Sequence, residues 1–533
     1  MKKITFISAM LLAGLTAMAQ DTYDNARMLG NDLNGTARYV GMGGAMEALG
    51  ADISTISTNP AGIGMFRRSW AGLSFGAVSQ QGVNKFDNLS KTNMSFDQAG
   101  FVYSSRTGSN SYLNFAFNYH KGKNYDQILS AAAVMGNSSL NNVVYIKDAV
   151  GDYTLERYNG AWLGYYGNEL STAFTQMDEA VANGYTMNDS NNPAYTIEDY
   201  AGDNFFDRAH RGWTADYDFN ISGNVNNRFY WGLTVGIHDV NYHGYSVYDE
   251  AFYDNNGNYQ ASLSLEDERW IDATGADIKA GFIILPIEES PFRVGLSVST
   301  PTWYEVKSEN NTNFYNDLKR DGFTNWGNEK YNMNNIYEFK YYTPWKFGLS
   351  LGHTINNNIA IGASYEYSDM SSASTRLYNG RFNYYDEEQT DPDREMNNHT
   401  EKTLKGVSLL KVGLEFKPDP TLAVRLGYNY QSAMFNENGY KNTSIDSPSN
   451  SYVSTADFTN WKATNRITCG LGYKKDHFNV DLAYQYSITN GTFYPFAADA
   501  VTFNDGSVVD NPTVPCDVDF KRHQVLLTLG YTF

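Results

Sequence analysis

The sequence predicts an all-β protein, an antiparallel transmembrane β-barrel of about 14 strands plugged by a small N-terminal hatch. Three observations lead there. Apolar and polar side chains alternate with period two in segment after segment. The connections between these segments switch strictly between short and long, and a Gly-rich stretch of small residues precedes the first of them. Apolar residues out and polar residues in, over about ten positions, mark a strand that crosses a membrane as part of a barrel. A two-sheet sandwich alternates too, but has no reason to segregate its loop lengths.

Residues 1–19 read as a signal peptide: Lys2 and Lys3, an apolar core from Ile4 to Leu15, and the small-x-small site Ala17-Met18-Ala19. The apolar run is shorter than the roughly twenty residues of a transmembrane helix. Cleavage before Gln20 directs the chain out of the cytoplasm, here toward the outer membrane of a Gram-negative bacterium. No Cys follows the site, so a lipid anchor is not expected. Loss of the two lysines turns 40 basic side chains into 38 against 59 acidic ones, a net charge of about −21. That disfavours nucleic acid as a partner. The 41 Tyr and 46 Gly suit strands and turns, and two Cys make no disulfide framework.

Residues 20–68 form the hatch. From Gly35 to Phe66 almost every residue is small, apolar or Gly, with Asn59-Pro60-Ala61-Gly62 near the end. Small side chains remove little apolar area and each Gly costs backbone entropy, so this segment must pack inside something else. Met42, Met46, Leu49, Ile53, Ile63, Met65 and Phe66 are candidates for an apolar ligand pocket, or equally for packing on the barrel wall.

Residues 69–533 supply the barrel with long extracellular loops. Strands are expected near 69–81, 94–106, 111–121, 211–224, 228–240, 268–285, 291–306, 335–353, 358–370, 404–417, 421–433, 464–474, 477–488 and 518–533. In one of them Phe229, Trp231, Leu233, Val235 and Ile237 share a face, with Gly232, Thr234, Gly236 and His238 opposite. Tight turns such as Pro418-Asp419-Pro420 alternate with excursions near 82–93, 122–210, 241–267, 307–334, 371–403, 434–463 and 489–517. The terminal Val525, Leu527, Leu529, Tyr531 and Phe533 alternate to the last residue, resembling the sorting signal read by outer-membrane assembly machinery. Trp70, Trp231, Trp303 and Trp345 suit interfacial girdles. Cys469 falls on the lipid face and Cys516 at the top of the last strand or in the loop before it, too far apart to bridge. By parity Arg293, Lys346, Lys411 and Arg425 point inward, each near a short-turn end. They are partners for Arg38, Glu47 and Asp52 of the hatch, or for a ligand carboxylate, which Arg grips bidentately.

In the 122–210 excursion, Leu170, Phe174, Met177 and Val181 share a helical face and offer a capture groove or a lid. Ile128, Leu129, Ala132, Val134 and Met135 are a looser second helical candidate. Strand three, Ser111 to His120, holds neither Gly nor Pro, so no kink is expected in it.

The hatch motif Arg38, Gly41, Gly43, Asn59, Pro60, Ala61 resembles the FadL/TodX family of outer-membrane hydrophobic-compound transporters. Thr300-Pro301-Thr302-Trp303 and Thr343-Pro344-Trp345-Lys346 extend the resemblance over nearly the whole mature chain. It implies passive, hatch-gated uptake of a hydrophobic small-molecule ligand such as a long-chain fatty acid, with exit sideways at a kinked third strand. Outer-membrane lipid, lipopolysaccharide and the barrel assembly machinery are the implied surroundings.

No cofactor and no metal are expected. Gly41-Met42-Gly43-Gly44 follows no strand, the eight His lack metal spacing, and the acidic run Asp386-Glu387-Glu388 reads as a solvated loop. No catalytic constellation is legible, so an enzyme is not expected. The alternatives are a surface binding or adhesion barrel without transport, a lipid-acting barrel enzyme, and a receptor for haem or another ligand.

Overall fold

The computed structural model describes residues 21–136, 201–253, 259–318, 327–356, 358–441, 457–502 and 508–533. The groove candidates Leu170, Phe174, Met177 and Val181 lie outside them.

Fourteen antiparallel strands close into a barrel. They are β1 (Trp70–Gln80), β2 (Thr92–Arg106), β3 (Tyr112–Asn124 and Gln127–Gly136), β4 (Ala201–Val225), β5 (Phe229–Tyr253), β6 (Tyr259–Ile284) and β7 (Arg293–Ser299 and Trp303–Leu318). There follow β8 (Gly327–Tyr342 and Lys346–Ile355), β9 (Ile359–Asp369), β10 (Gly406–Phe416), β11 (Leu422–Gln431), β12 (Phe458–Lys475), β13 (Phe478–Tyr494) and β14 (Cys516–Thr532). Each pairs with the next, and β1 closes on β14 from Trp70↔Thr532 to Gln80↔Arg522. Closure removes every free edge, which lipid would leave without hydrogen-bond partners.

The expected alternation faces as predicted. Leu233, Val235 and Ile237 are exposed on the outer wall, while Thr234 and His238 are buried in the lumen. Cys469 is exposed on the outer face, and both cysteines are free.

Several expected loops are instead tall strand pairs. β5 and β6 remain paired from Phe229↔Ile284 up to Tyr253↔Tyr259, so 241–267 is an extended hairpin rather than an excursion. The helical candidate around Ile128–Val134 is the upper part of β3, because its backbone pairs with β4 from Gln127↔His210 onward. The 371–403 excursion holds a hairpin (Ser374–Phe382, Glu388–Pro392) and a helix, Arg394–Thr403.

Strand three does break, just beyond the stretch that lacks Gly and Pro. Its register slips between Lys121 and Lys123, and pairing with β2 ends at Gln98↔His120. At Gly122 a β-carbon would overlap the Asp216 carboxylate, so the strand gives way there. The upper part of β3 then departs from β2. The gap is filled by Val83, Phe86 and Leu89 packing against Ile128 and Ala209. Gln80 also binds both backbone groups of Ile128, at 2.7 and 2.8 Å. β7 and β8 are interrupted at their Thr-Pro motifs, since Pro301 and Pro344 cannot donate to a ladder. The two interruptions face each other, with Thr302 N donating to Thr343 Oγ1 at 2.8 Å.

Inside lies the hatch, built from four short turns, each started by a side-chain cap. α1 (Thr22–Ala26) is capped by Asp21 and α2 (Ala37–Gly41) by Thr36. The 3₁₀ turns Ile53–Ser57 and Pro60–Met65 are capped by Asp52 and Asn59. α1 sits at the long-loop end, and Phe66 leads into β1 at the short-turn end.

Candidate functional site

The hatch meets the wall through glycine. A β-carbon at Gly362 would overlap the Ala45 carbonyl, one at Gly413 the Met42 carbonyl, and one at Gly427 the Gly43 nitrogen. On the opposite side Gly232 and Gly281 make room for Pro60 and Asn59 in the same way. Backbone therefore lies directly on backbone around much of the lumen. The Asn-Pro-Ala motif has a local reason too: Asn59 Oδ1 accepts from Ala61 N at 3.2 Å, and Pro60 starts the turn where no N–H is needed.

The apolar hatch candidates face this wall. Met42, Met46 and Leu49 pack with Ala483 and Leu526, and Ile53 and Ile63 with Val102 and Ala116. All are buried, Met42, Met46 and Ile63 completely. Met65 packs beside Tyr230 and Ile283, and Phe66 beside Trp70. They do not gather into one pocket, because each turn of the hatch spends its apolar side on a different part of the barrel.

Ion pairs fix the hatch at several heights. Glu415 accepts from Arg38 at 3.1 Å and from Arg425 at 2.7 Å, and Arg425 reaches Asp481 at 2.6 Å. Lys411 binds Glu47 at 2.6 Å. Arg293 donates to the Leu49 carbonyl at 2.7 Å. Asp52 stays within the hatch, accepting from Thr36 at 2.8 Å. Lys346 is the exception to the expected placement. It lies a full strand-half above the turn at 356–358, lines the central cavity, and has no ion pair with any described residue.

Cavities separate hatch from wall at several heights among the described residues. The central one, about 100 Å³, lies over residues 28–34, Tyr39 and Thr58, facing Lys346, Glu366, Gln431 and Arg466. An upper chamber of about 200 Å³ is lined by Tyr23, Phe435, Phe458, Trp461 and Phe520, with Lys123, Arg208, Lys441 and Arg522 among them. A third, about 390 Å³, opens at the short-turn end between the hatch and β10–β14, bounded by Arg38, Phe66, Trp70, Glu415, Arg425 and Tyr473.

Two clusters escaped sequence reasoning. His120, Asp216, Asp218, His238, Asp277 and Lys279 meet on the walls of β3–β6, with His238 Nδ1 at 2.7 Å from Asp216 and Lys279 at 2.8 Å from Asp277. Parity put them inward, but only register puts them at one height. No group among the described residues could hold a metal ion. The second cluster anchors α1. Asp21 pairs with Lys441 at 2.7 Å, Asp24 with Arg269, and Tyr23 stacks on Phe435 with centroids 5.0 Å apart. Burial pushes the Asp21 carboxyl up, but Lys441 and Arg269 outweigh it and leave it below the usual carboxylate range. Thr22 Oγ1 lies 2.8 Å from His399 Nδ1 on the loop helix Arg394–Thr403, and burial holds His399 below its ordinary 6.5.

No protein-family model matches the chain, and no curated protein matches it. Similar architecture occurs among solved structures. The toluene transporter TbuX of Ralstonia pickettii aligns over 94% of this chain and 99% of its own, at 11% identity and a TM-score of 0.49. The toluene transporter TodX of P. putida aligns over the same shares at 11% identity and 0.48. A FadL homologue of Pseudomonas aeruginosa aligns over 95% and 99%, at 12% identity and 0.48.

Proposed function

We propose that the protein is an outer-membrane channel for passive, hatch-gated uptake of hydrophobic small molecules such as long-chain fatty acids. The observation that carries this reading is the upper chamber. It is an aromatic recess at the long-loop end of a plugged barrel, with Tyr23 of the hatch forming part of its wall. A ligand entering there touches the hatch itself, so binding and gating share residues. An open porin needs no such recess, and its lumen is not filled from Asp21 to Phe66. The cations around the aromatic floor already hold Asp21, Asp32 and Asp457, so a carboxylate head over an apolar tail would exchange with one of these partners. Ligand binding shifts the hatch only by as much as its affinity differs between the closed and open forms.

On this reading Lys346 and Arg466 line the path below the chamber, while Met42, Met46, Leu49, Ile53, Ile63, Arg293 and Arg425 hold the hatch rather than the ligand. The outer wall faces outer-membrane lipid, with lipopolysaccharide around the long loops and the C-terminal strand recognised by the assembly machinery. Native mass spectrometry with lipid extraction tests the proposal. A stoichiometric hydrophobic molecule that is lost on Phe458→Asp supports it, and an empty protein that also binds no fatty acid or hydrocarbon from a panel refutes it.

One feature favours a surface-binding role instead. Phe382, Tyr384 and Tyr385 project from the hairpin tip at 61%, 96% and 79% exposure. Under that reading, replacing them by Ser abolishes adhesion and leaves ligand uptake intact.

A further inference from the structure

One stretch of the hatch takes the place of a strand. Pairing of β3 with β2 ends at His120, and the next four residues bond to hatch segment 27–34 instead. Asn34 Nδ2 donates to the Lys121 carbonyl at 3.0 Å, and Asp32 N to that of Gly122 at 2.8 Å. Lys123 Nζ donates to the carbonyls of Arg27 and Leu29, at 2.7 and 2.9 Å. Asn124 N donates to Asp32 Oδ2 at 3.1 Å. Asp32 therefore holds the break in strand three on both of its sides. The same Oδ2 accepts from Arg522 Nη2 of β14 at 3.0 Å.

Arg522 belongs to a row set by register. Arg466 of β12 lies opposite Ser487 of β13, and Ser487 lies opposite Arg522. All three are buried in the lumen. The two arginines stand two strand spacings apart at the backbone, about 10 Å, with only the small Ser487 between them. The cavity this leaves, about 180 Å³, is also lined by Phe435, Trp461 and Phe520, which it shares with the upper chamber. Arg466 donates only to the amide oxygens of Asn429 and Gln431, at 2.9 and 3.2 Å, and has no ion pair with any described residue. The Nε–H of Arg466 and that of Arg522 have no acceptor among the described residues. Two buried guanidiniums thus face one cavity with a single carboxylate, Asp32.

The carboxylates that hold the chamber's cations are not equally fixed. Asp21 and Asp457 are 2% and 6% exposed in their pairs with Lys441 and Arg208, whereas Asp32 is 19% exposed. Asp32 also borders the central cavity, the upper chamber and the arginine cavity alike. A displaced Asp32 has open space to turn into. Arg522 keeps a counter-ion throughout if a second carboxylate arrives, so the exchange strands no buried charge.

We propose that the carboxylate of a long-chain fatty acid binds between Arg466 and Arg522, displaces Asp32, and so releases hatch segment 27–34 from strand three. The aromatic rings hold the tail, and the acid group is what the hatch answers to. A neutral molecule of the same length fills the chamber but leaves the Asp32–Arg522 pair in place. It has no differential affinity for the released form and does not shift the hatch. The inference rests on the channel reading, and its test separates the two.

The test is hydrogen exchange, read by mass spectrometry on the full chain in nanodiscs, with oleate and oleyl alcohol as probes. Both are expected to bind. Oleate should speed exchange in segments 27–34 and 121–124 at least fivefold, and oleyl alcohol less than twofold. Asp32→Ala should exchange at the faster rate without a probe, with oleate adding less than twofold. Arg466→Gln, which removes a guanidinium with no bond to the hatch among the described residues, should weaken oleate binding at least tenfold relative to oleyl alcohol. Equal effects of the two probes on exchange, bound oleate with both segments still protected, or unchanged selectivity in Arg466→Gln overturns the inference and leaves the channel reading standing. If neither probe binds the wild-type protein, the channel reading fails and the inference with it.

Discussion

At the scale of single residues, the lumen is organised by what is missing. Gly427 cannot carry a β-carbon without striking Gly43, so Gly427→Ala must lift the hatch or bend β11. Overpacking of this kind typically costs about 1–3 kcal/mol. A lowered unfolding temperature together with raised small-ion leakage in bilayers is the expected result, and Gly108→Ala, whose β-carbon makes only ordinary contacts, is the control. Glu415 serves the buried Arg425, the half-buried Arg38 and Lys417. Removing it leaves Arg425 with Asp481 alone and Arg38 without its carboxylate, and Glu415→Ala should cost about 1.5–3 kcal/mol, measured as a fall in denaturant midpoint. Parity alone was enough to aim Arg293, Lys411 and Arg425 inward. It was not enough to set their heights, which is why Lys346 was expected at a turn and stands mid-wall. Nor does parity say which inward glycine meets the hatch, because that depends on register between strands distant in sequence.

At the scale of elements, the alternation and the turn chemistry were legible, and the failures share one cause. A strand that runs on past the apolar band loses the apolar-out pattern, so the upper parts of β5 and β6 read as loop and that of β3 as a loop with a short helix. Strand three breaks at Gly122, where a carboxylate from β4 crowds the backbone, a cause that lies in another strand. The Asn59 cap is local and was visible as a turn. Asn59→Ala should cost about 1 kcal/mol and loosen Pro60–Met65, read as faster hydrogen exchange at Ala61 and Gly62.

The docking of α1 on the loop helix carries a pH dependence. Burial keeps His399 neutral and below 6.5, whereas an undocked imidazole titrates at about that value. The docked form is thus favoured in full above 6.5 and loses ground as the pH falls below it. Distances between spin labels on α1 and on the loop helix should widen between about pH 6.5 and 5, and His399→Gln should flatten that change.

At the scale of the whole molecule, the hatch runs the height of the barrel, from Asp21 against Lys441 to Phe66 at the mouth of β1. Pulling on a loop at the long-loop end therefore reaches the short-turn end through one short chain. Lys441→Ala takes away the ion-pair partner of the buried Asp21, and is expected to free α1 and raise uptake of a radiolabelled fatty acid severalfold without changing strand content by circular dichroism.

The band of glycines has a last consequence, for assembly. A band of wall faced only with backbone has nothing of its own to fill it, so the cylinder and its stopper are complementary halves of one solid. Because β1 follows the stopper in the chain and seals against β14, the stopper is tethered at the very seam that shuts the wall. Such a vessel cannot be emptied by drawing its cork, since the cork is also the lining. Whatever passes must do so through a crevice, with most of the filling left where it was set.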